Sequence, residues 1–435
     1  MDLALLYCLL CLGLIVCNTI ERKKLFNALN IYLLIWAMMV LLYNLKWILY
    51  YDLTSTTWIM IYLSTISVFV GNLFGVHKAK KHIQKCNTIS AADIDLISKK
   101  RLINSILITS LIAAFAIIPN IFFLMEKYGL NILSKTSEIY YDNLNGKAPL
   151  SIPYLGAIIY VSDILAGIYF SRYGYKSFIL LPIILSMLSI LPSGSRGWLI
   201  LAVFMFIFPY FIMPSFQKAN KKATRKNRFK LAILIMVVCM LFIILTINRS
   251  KNLDPQILQF MSPEMKIFAQ KMPSVYKLYQ YFASPIGVLN EFLKCPDFYF
   301  GKNTFAVLYN FLDKFGFDVN YSRYQTFYSI PIRTNVGTWV LELIQDFGIW
   351  GMFIVIISFA FTVGYFEQMS NVCLARKYIL WSTVFNTIFV MSFFVWYLRE
   401  GTMIIIILTV ALMNLVNKSK YNRVRRLIAP EIAKL

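Results

Sequence analysis

Five arginines stand out because of where they fall between apolar runs. Arg196 lies in Ser193–Gly194–Ser195–Arg196–Gly197, which joins two such runs in very few residues. Arg249 follows another run in Asn248–Arg249–Ser250–Lys251, and Arg323 and Arg333 lie in the long segment after it. Arg399 sits in the tight turn Leu398–Arg399–Glu400–Gly401. A guanidinium is planar, permanently charged and multidentate, which suits phosphate oxygens. Any single arginine at a run's end is accounted for by snorkelling to a membrane surface. The set is harder to dismiss, because the other short turns on that side carry almost no basic residues. All but Arg323 fall near run ends at one depth, and together they fit a lipid pyrophosphate.

Carboxylates on the same side are Glu342, Asp346 and Glu400, each a candidate base for an acceptor hydroxyl. Asp346 opens Asp346–Phe347–Gly348–Ile349–Trp350–Gly351 and serves equally well as a helix N-cap. Asp163 falls inside an apolar run, where a carboxylate is costly and is either functional or hydrogen-bonded to another helix. On the opposite side, Asp93–Ile94–Asp95 is formally the D-x-D of metal-dependent sugar transferases. Ser90-x-x-Asp93 reads better as a capping box, and the loop is too short for a nucleotide-sugar domain. His77 and His82 are the only histidines and lie on that side too, so no histidine-based metal cluster or triad is expected beside the arginines. Cys8-x-x-Cys11, Cys17 and Cys239 lie in apolar runs and read as small apolar residues. Cys295 is alone in the long segment, so no structural disulfide is expected there.

The elements that must position these groups are membrane spans. Of 435 residues, 59% are hydrophobic and 14% are charged, whereas an ordinary soluble domain carries about 25% charge. The apolar residues come in unbroken runs, and a run of about 17 or more can cross a hydrocarbon core. There every backbone group must bond within the protein, so the runs must be helical. Eleven spans are expected, at 3–20, 25–45, 58–76, 102–124, 154–170, 178–194, 198–216, 231–247, 347–366, 379–398 and 402–417. The net charge of +23 does not point to nucleic acid, because the basic residues cluster between runs, most heavily in 77–101 and 217–230. That is the positive-inside pattern, which places the N-terminus outside and the Arg22–Lys24 turn inside. Asp2 before the first run and Arg22, Lys23 and Lys24 after it reverse the charge order of a cleavable signal peptide.

The expected organisation is an all-α polytopic bundle. Residues 1–247 form an N-terminal bundle of eight spans, 248–346 an outer loop domain, 347–417 three further spans, and 418–435 a basic tail. The loop is too long to be a mere connector. Asp254–Pro255 and Ser262–Pro263–Glu264 each place a capping side chain before a proline suited to a helix start. Asn303 then precedes Phe305, Leu308, Leu312 and Phe315, an amphipathic spacing that ends at Gly316. These aromatic-rich helices are expected to be short and to lie on the outer mouth of the bundle.

Four stretches carry a resemblance. They are Ser193–Gly197 between two spans, Tyr281–Phe282–Ala283–Ser284–Pro285–Ile286 in the long loop, Gly301–Lys302–Asn303–Thr304–Phe305 after it, and Asn335–Val336–Gly337–Thr338 followed by Asp346–Gly351. With the span count and one large outer loop, the chain resembles the bacterial oligosaccharide repeat unit polymerases, the Wzy-type O-antigen and capsule polymerases, over nearly its whole length. The resemblance implies a glycosyltransferase-C-like helical fold with its active site on the periplasmic face of the inner membrane. It implies transfer of a growing glycan from undecaprenyl pyrophosphate onto a newly flipped lipid-linked repeat unit, with neither nucleotide sugar nor metal as cofactor. A flippase and a chain-length regulator are the partners it implies. Related O-antigen ligases tend to carry a functional periplasmic histidine, and this chain has none on that side. A flippase or other transporter should show two related halves and charged or broken helices at the midplane. Neither halves nor more than one clear midplane charge is legible here. A structural or assembly protein would leave the arginines unexplained.

Overall fold

The computed structural model describes residues 2–85, 99–144, 154–191, 197–213, 229–247 (except 234, 235, 238, 239 and 242), 255–317, 319, 325–373 and 375–415. The first helices are α1 (Asp2–Arg22), α2 (Ala28–Asn44), α3 (Ser55–Lys85) and α4 (Lys99–Tyr128). They are followed by α5 (Thr136–Leu144), α6 (Ile158–Tyr173), α7 (Leu180–Ile190) and α8 (Gly197–Ile212). The described residues of 229–247 are helical. Then come α9 (Pro255–Leu258), α10 (Pro263–Lys271), α11 (Pro273–Phe292) and α12 (Ala306–Lys314). The chain closes with α13 (Trp339–Cys373), α14 (Arg376–Met391) and α15 (Gly401–Leu415). Among the described residues the only sheet is a two-stranded antiparallel hairpin of β1 (Tyr328–Ser329) and β2 (Arg333–Thr334).

Among the described residues, five helices are long and apolar enough to cross a bilayer by length and composition: Leu3–Arg22, Ser55–Gln84, Lys99–Tyr128, Leu155–Tyr173 and Trp339–Val372. Ala28–Asn44, Ser177–Ile190, Gly197–Ile212 and Gly401–Leu415 are shorter apolar helices. The chain is a helical, membrane-associated protein. Its outward-facing leucines and phenylalanines, such as Leu12, Leu111, Phe115 and Leu412, are exposed to whatever surrounds the bundle, as lipid-facing positions are.

Lipid tails are as apolar as leucine, so helices in a membrane associate through close packing and buried polar contacts. α3 and α13 provide the closest packing. Gly75 lies against the backbone of Phe361 and Tyr365, and Gly364 against the backbone of Asn72, so closely that a Cβ at either would overlap main-chain atoms. Polar contacts lock the end where the basic loops emerge. Arg22 donates to Glu367 Oε2 at 2.7 Å and to Asn72, and the ion pair is almost wholly buried. Asn18 Nδ2 donates to Asn27 Oδ1 at 2.9 Å and to Asn30 Oδ1 at 2.7 Å, which ties α1 to the start of α2. Nearer the other end of α1, Cys8 directs its thiol to the Ala37 carbonyl of α2 at 3.6 Å, as a small residue of a helix interface.

Some expected elements are present and others are redrawn. Ser262 accepts a hydrogen bond from the Met265 amide and caps α10, with Pro263 in its first turn. α12 runs from Ala306 to Lys314 and stops just before Gly316. The loop helices are not all short mouth pieces, however. α11 spans 20 residues, and its second half from Ala283 to Asn290 is wholly buried, with Gly287 against Tyr43 of α2. The ninth expected span also starts earlier. α13 begins at Trp339 rather than at 347 and bends at Gly348, whose φ of 68° only glycine adopts without strain. The tenth is cut short at Met391. A turn over 392–400 then leads into α15, with Ser392 O accepting from the Trp339 amide at 3.1 Å.

Candidate functional site

Two carboxylates one helical turn apart organise the first half of α13. Glu342 has no exposed surface. Its Oε1 accepts from the Arg399 guanidinium and the Gln325 amide, and its Oε2 from the Trp396 backbone N–H. Gln325 in turn accepts from the Gly337 amide at 3.1 Å. One side chain thus joins α13, the 392–400 turn and the segment that leads into and out of the hairpin. A buried carboxylate is stable only with its charge paired and its lone pairs occupied, and this one has both.

Asp346 holds a different segment. Its Oδ1 accepts from the Asn303 amide at 2.9 Å. Its Oδ2 accepts from the Thr304 amide at 2.6 Å and the Thr304 hydroxyl at 2.7 Å. The Asn303 side chain donates to Gln345 Oε1 at 3.1 Å, and Trp396 Nε1 donates to Thr304 Oγ1 at 3.0 Å. Asp346 is therefore not the N-cap of its own helix, which already runs through it. It anchors the Gly301–Phe305 turn across the structure, because its two oxygens meet the unpaired amides of that turn.

A polar cleft of about 410 Å³ adjoins this network. One wall comes from α11, with Lys277, Tyr281 and Ser284. A second comes from the hairpin segment, with Gln325, Arg333 and Asn335. The 392–400 turn contributes Tyr397 and Glu400, and the start of α8 contributes Gly197 and Trp198. Trp198 and Tyr397 meet edge to face at 5.8 Å, and Tyr281 and Phe394 pack at 5.5 Å. The cleft thus combines two cations, one carboxylate, amide side chains and aromatic faces. The Arg333 guanidinium lies 4.9 Å from the centre of the Phe327 ring, which orients it along the cleft wall. Next to it, burial pushes the Tyr328 hydroxyl up to about 12, so this phenol is neutral at ordinary pH.

The candidate residues therefore separate. Arg333 and Glu400 line the cleft. Arg399 points away from it and is paired with Glu342, only 7% exposed. Glu342 and Asp346 face inward, with their oxygens engaged as described. Arg196, Arg249 and Arg323 lie outside the described residues, as do Asp93 and Asp95 of the D-x-D. Gly197, directly after Arg196, does line the cleft. Of the four resembling stretches, Ser193–Gly197 contributes Gly197, Tyr281–Ile286 contributes Tyr281 and Ser284, and Asn335–Thr338 contributes Asn335 and Val336. Gly301–Phe305 and Asp346–Gly351 are joined to each other through Asp346. Lys277 and Gln325 were not singled out from the sequence. Lys277 is a lone lysine among aromatics, and Gln325 is uncharged, so only the three-dimensional arrangement distinguishes them.

Asp163 is apart from this site. Ser186 of α7 donates to its Oδ2 at 2.6 Å, while its Oδ1 has no partner and borders a cavity of about 30 Å³, enough for about one water. The interhelical hydrogen bond is the competitor to a functional role that the sequence left open.

The chain matches no family model, no curated protein and no solved structure.

Proposed function

We propose that this protein is a polymerase of lipid-linked oligosaccharide repeat units, of the O-antigen or capsule type. In this reading it has eleven spans, a glycosyltransferase-C-like bundle and a cleft on the periplasmic face of the bacterial inner membrane. The observation that carries the reading is the cleft itself. Arg333 and Lys277 share it with Glu400, aromatic rings and amide side chains, and three of the resembling stretches contribute to its lining. Cations suit a pyrophosphate, rings and amides suit sugar faces and hydroxyls, and a carboxylate suits a base.

In the proposed reaction the acceptor sugar hydroxyl attacks the anomeric carbon of the donor glycan. The new glycosidic C–O bond forms as the bond to pyrophosphate breaks, and Glu400 takes the hydroxyl proton. Undecaprenyl pyrophosphate departs with its charge held by Arg333, Lys277 and Arg196, the residue before Gly197. Preorganised positive charge of this kind acts where charge develops in the transition state. Glu342 and Arg399 hold the walls in register rather than touching substrate. The flippase that supplies repeat units and a chain-length regulator are its partners, and surrounding lipid holds the polyprenyl tail.

The test is deletion of the gene followed by complementation. The deletion strain should lose long-chain glycan and retain single repeat units, and the intact gene should restore the ladder. An unchanged ladder in the deletion strain would overturn the reading. Restoration by Glu400→Gln at normal protein level would remove Glu400 as the base.

A further inference from the structure

At the end of the bundle that carries the basic loops, a second groove opens between three helices. It holds about 450 Å³ and is lined by Ser105 of α4, Arg376 of α14, and Ile405, Leu408, Thr409, Leu412 and Met413 of α15. The α15 residues recur at helical spacing, so one face of that helix forms the floor. Leu408 and Leu412 are more than half exposed. Thr409 bonds back to the Ile405 carbonyl at 2.7 Å, so its hydroxyl is satisfied within its own helix. The floor is thus aliphatic and has no ring, unlike the aromatic cleft.

The polar end is different. Arg376 is the first residue of α14, and Ala375 before it offers no side-chain cap to that helix end. A cation at a helix N-terminus opposes the helix dipole, whereas an anion there is favoured by both the dipole and the amides. Lys377 follows, and Lys99, Lys100 and Arg101 open the neighbouring α4, all exposed. An aliphatic floor ending at an arginine and an uncapped helix start matches one molecule in a bilayer: a phospholipid with an anionic headgroup. Basic pockets between transmembrane helices on the positive side of a membrane bind such headgroups.

We infer that this groove binds one anionic phospholipid, with its phosphate on Arg376 and the start of α14 and an acyl chain along Leu408 and Leu412. The site is separate from the aromatic cleft and does not depend on the function proposed for it. The lipid couples α14 and α15, the helices on either side of the turn that carries Glu400, to the composition of the membrane.

The experiment uses the purified full-length protein in detergent, loaded with phosphatidylglycerol or phosphatidylcholine and examined by native mass spectrometry. The intact protein should retain one phosphatidylglycerol under conditions that strip phosphatidylcholine. Arg376→Gln should weaken that retention about fivefold, the effect of one basic residue at a membrane surface. Leu408→Trp, at an exposed position, should block the chain path and lower retention with Arg376 intact. Equal retention of the two lipids by the intact protein would overturn the inference, as would undiminished phosphatidylglycerol on Arg376→Gln. If Arg376→Gln does not fold, the comparison of the two lipids on the intact protein decides alone.

Discussion

Arg333 and Arg399 have the same chemistry and opposite surroundings, and this separates their mutants. Arg399 neutralises a carboxylate with no exposed surface. Arg399→Ala would leave that charge buried without its counter-charge, a change that typically costs about 3–5 kcal/mol. A fall in thermal stability and protein level is expected, and unchanged melting would show that Glu342 is held in another way. Arg333 is exposed on the cleft wall, so Arg333→Ala should leave melting unchanged. In the proposed reaction the transfer rate of this variant should fall by about 10²–10³, the loss typical of one donor to a developing charge. Lys at 333 should rescue only in part, because a point charge cannot reproduce a bidentate contact. If Ala at 333 polymerises normally in a purified assay, the arginine contributes only surface charge.

At the scale of elements, the α3–α13 contact and the Asp346 anchor make distinct predictions. Gly75→Leu places a side chain where the Phe361 and Tyr365 backbone already lies, whereas Gly13 has open space around its Cβ position. Gly75→Leu should therefore give aggregated protein on size exclusion, and Gly13→Leu a normal monodisperse peak. Equal behaviour would mean that the two helices do not pack at this distance. Asp346→Asn turns an amide group toward donors that need an acceptor. A buried donor left unpaired typically costs about 1–3 kcal/mol, so the variant should melt lower and its 301–305 turn should become more sensitive to protease. The sequence foretold parts of this level. Ser262 caps α10 as its spacing with Pro263 and Glu264 indicates, and the apolar spacing after Asn303 marks α12. It did not foretell the early start of α13, because Trp339 to Gln345 mixes polar and apolar residues that read as loop beside the apolar run that follows.

At the scale of the molecule, charge bias and helix placement lead to a topology that fusions can check. Reporters after Lys24 and Lys230 should read cytoplasmic, and one near Asn303 should read periplasmic. A cytoplasmic signal near Asn303 would put the cleft on the wrong side for a lipid-linked repeat unit. The proposed polymerisation is expected to survive chelation, because both histidines lie toward the basic loops, with His82 bonded to Tyr365 at 2.7 Å, and Glu342 and Asp346 have their oxygens engaged, which leaves Glu400 as the one carboxylate lining the cleft among the described residues. Loss of activity in chelator, restored by a divalent ion, would rule out the metal-independent mechanism.

Span positions depend on hydropathy summed over neighbours in sequence, and that is why the membrane class and the approximate place of the apolar helices were legible in the chain alone. The same holds for caps, which involve residues three apart. The site does not work this way. Glu342 meets Arg399 57 positions later and Gln325 17 positions earlier, and Asp346 meets Asn303 43 positions earlier. Residue type marked Glu342, Asp346 and Arg399 as candidates, the carboxylates as bases and the arginine for the pyrophosphate. Only the tertiary structure placed Glu342 and Arg399 within the support and Arg333 and Glu400 in the cleft. That division follows from which side of a helix or turn faces the packed interior, and no local pattern encodes the partner that waits there.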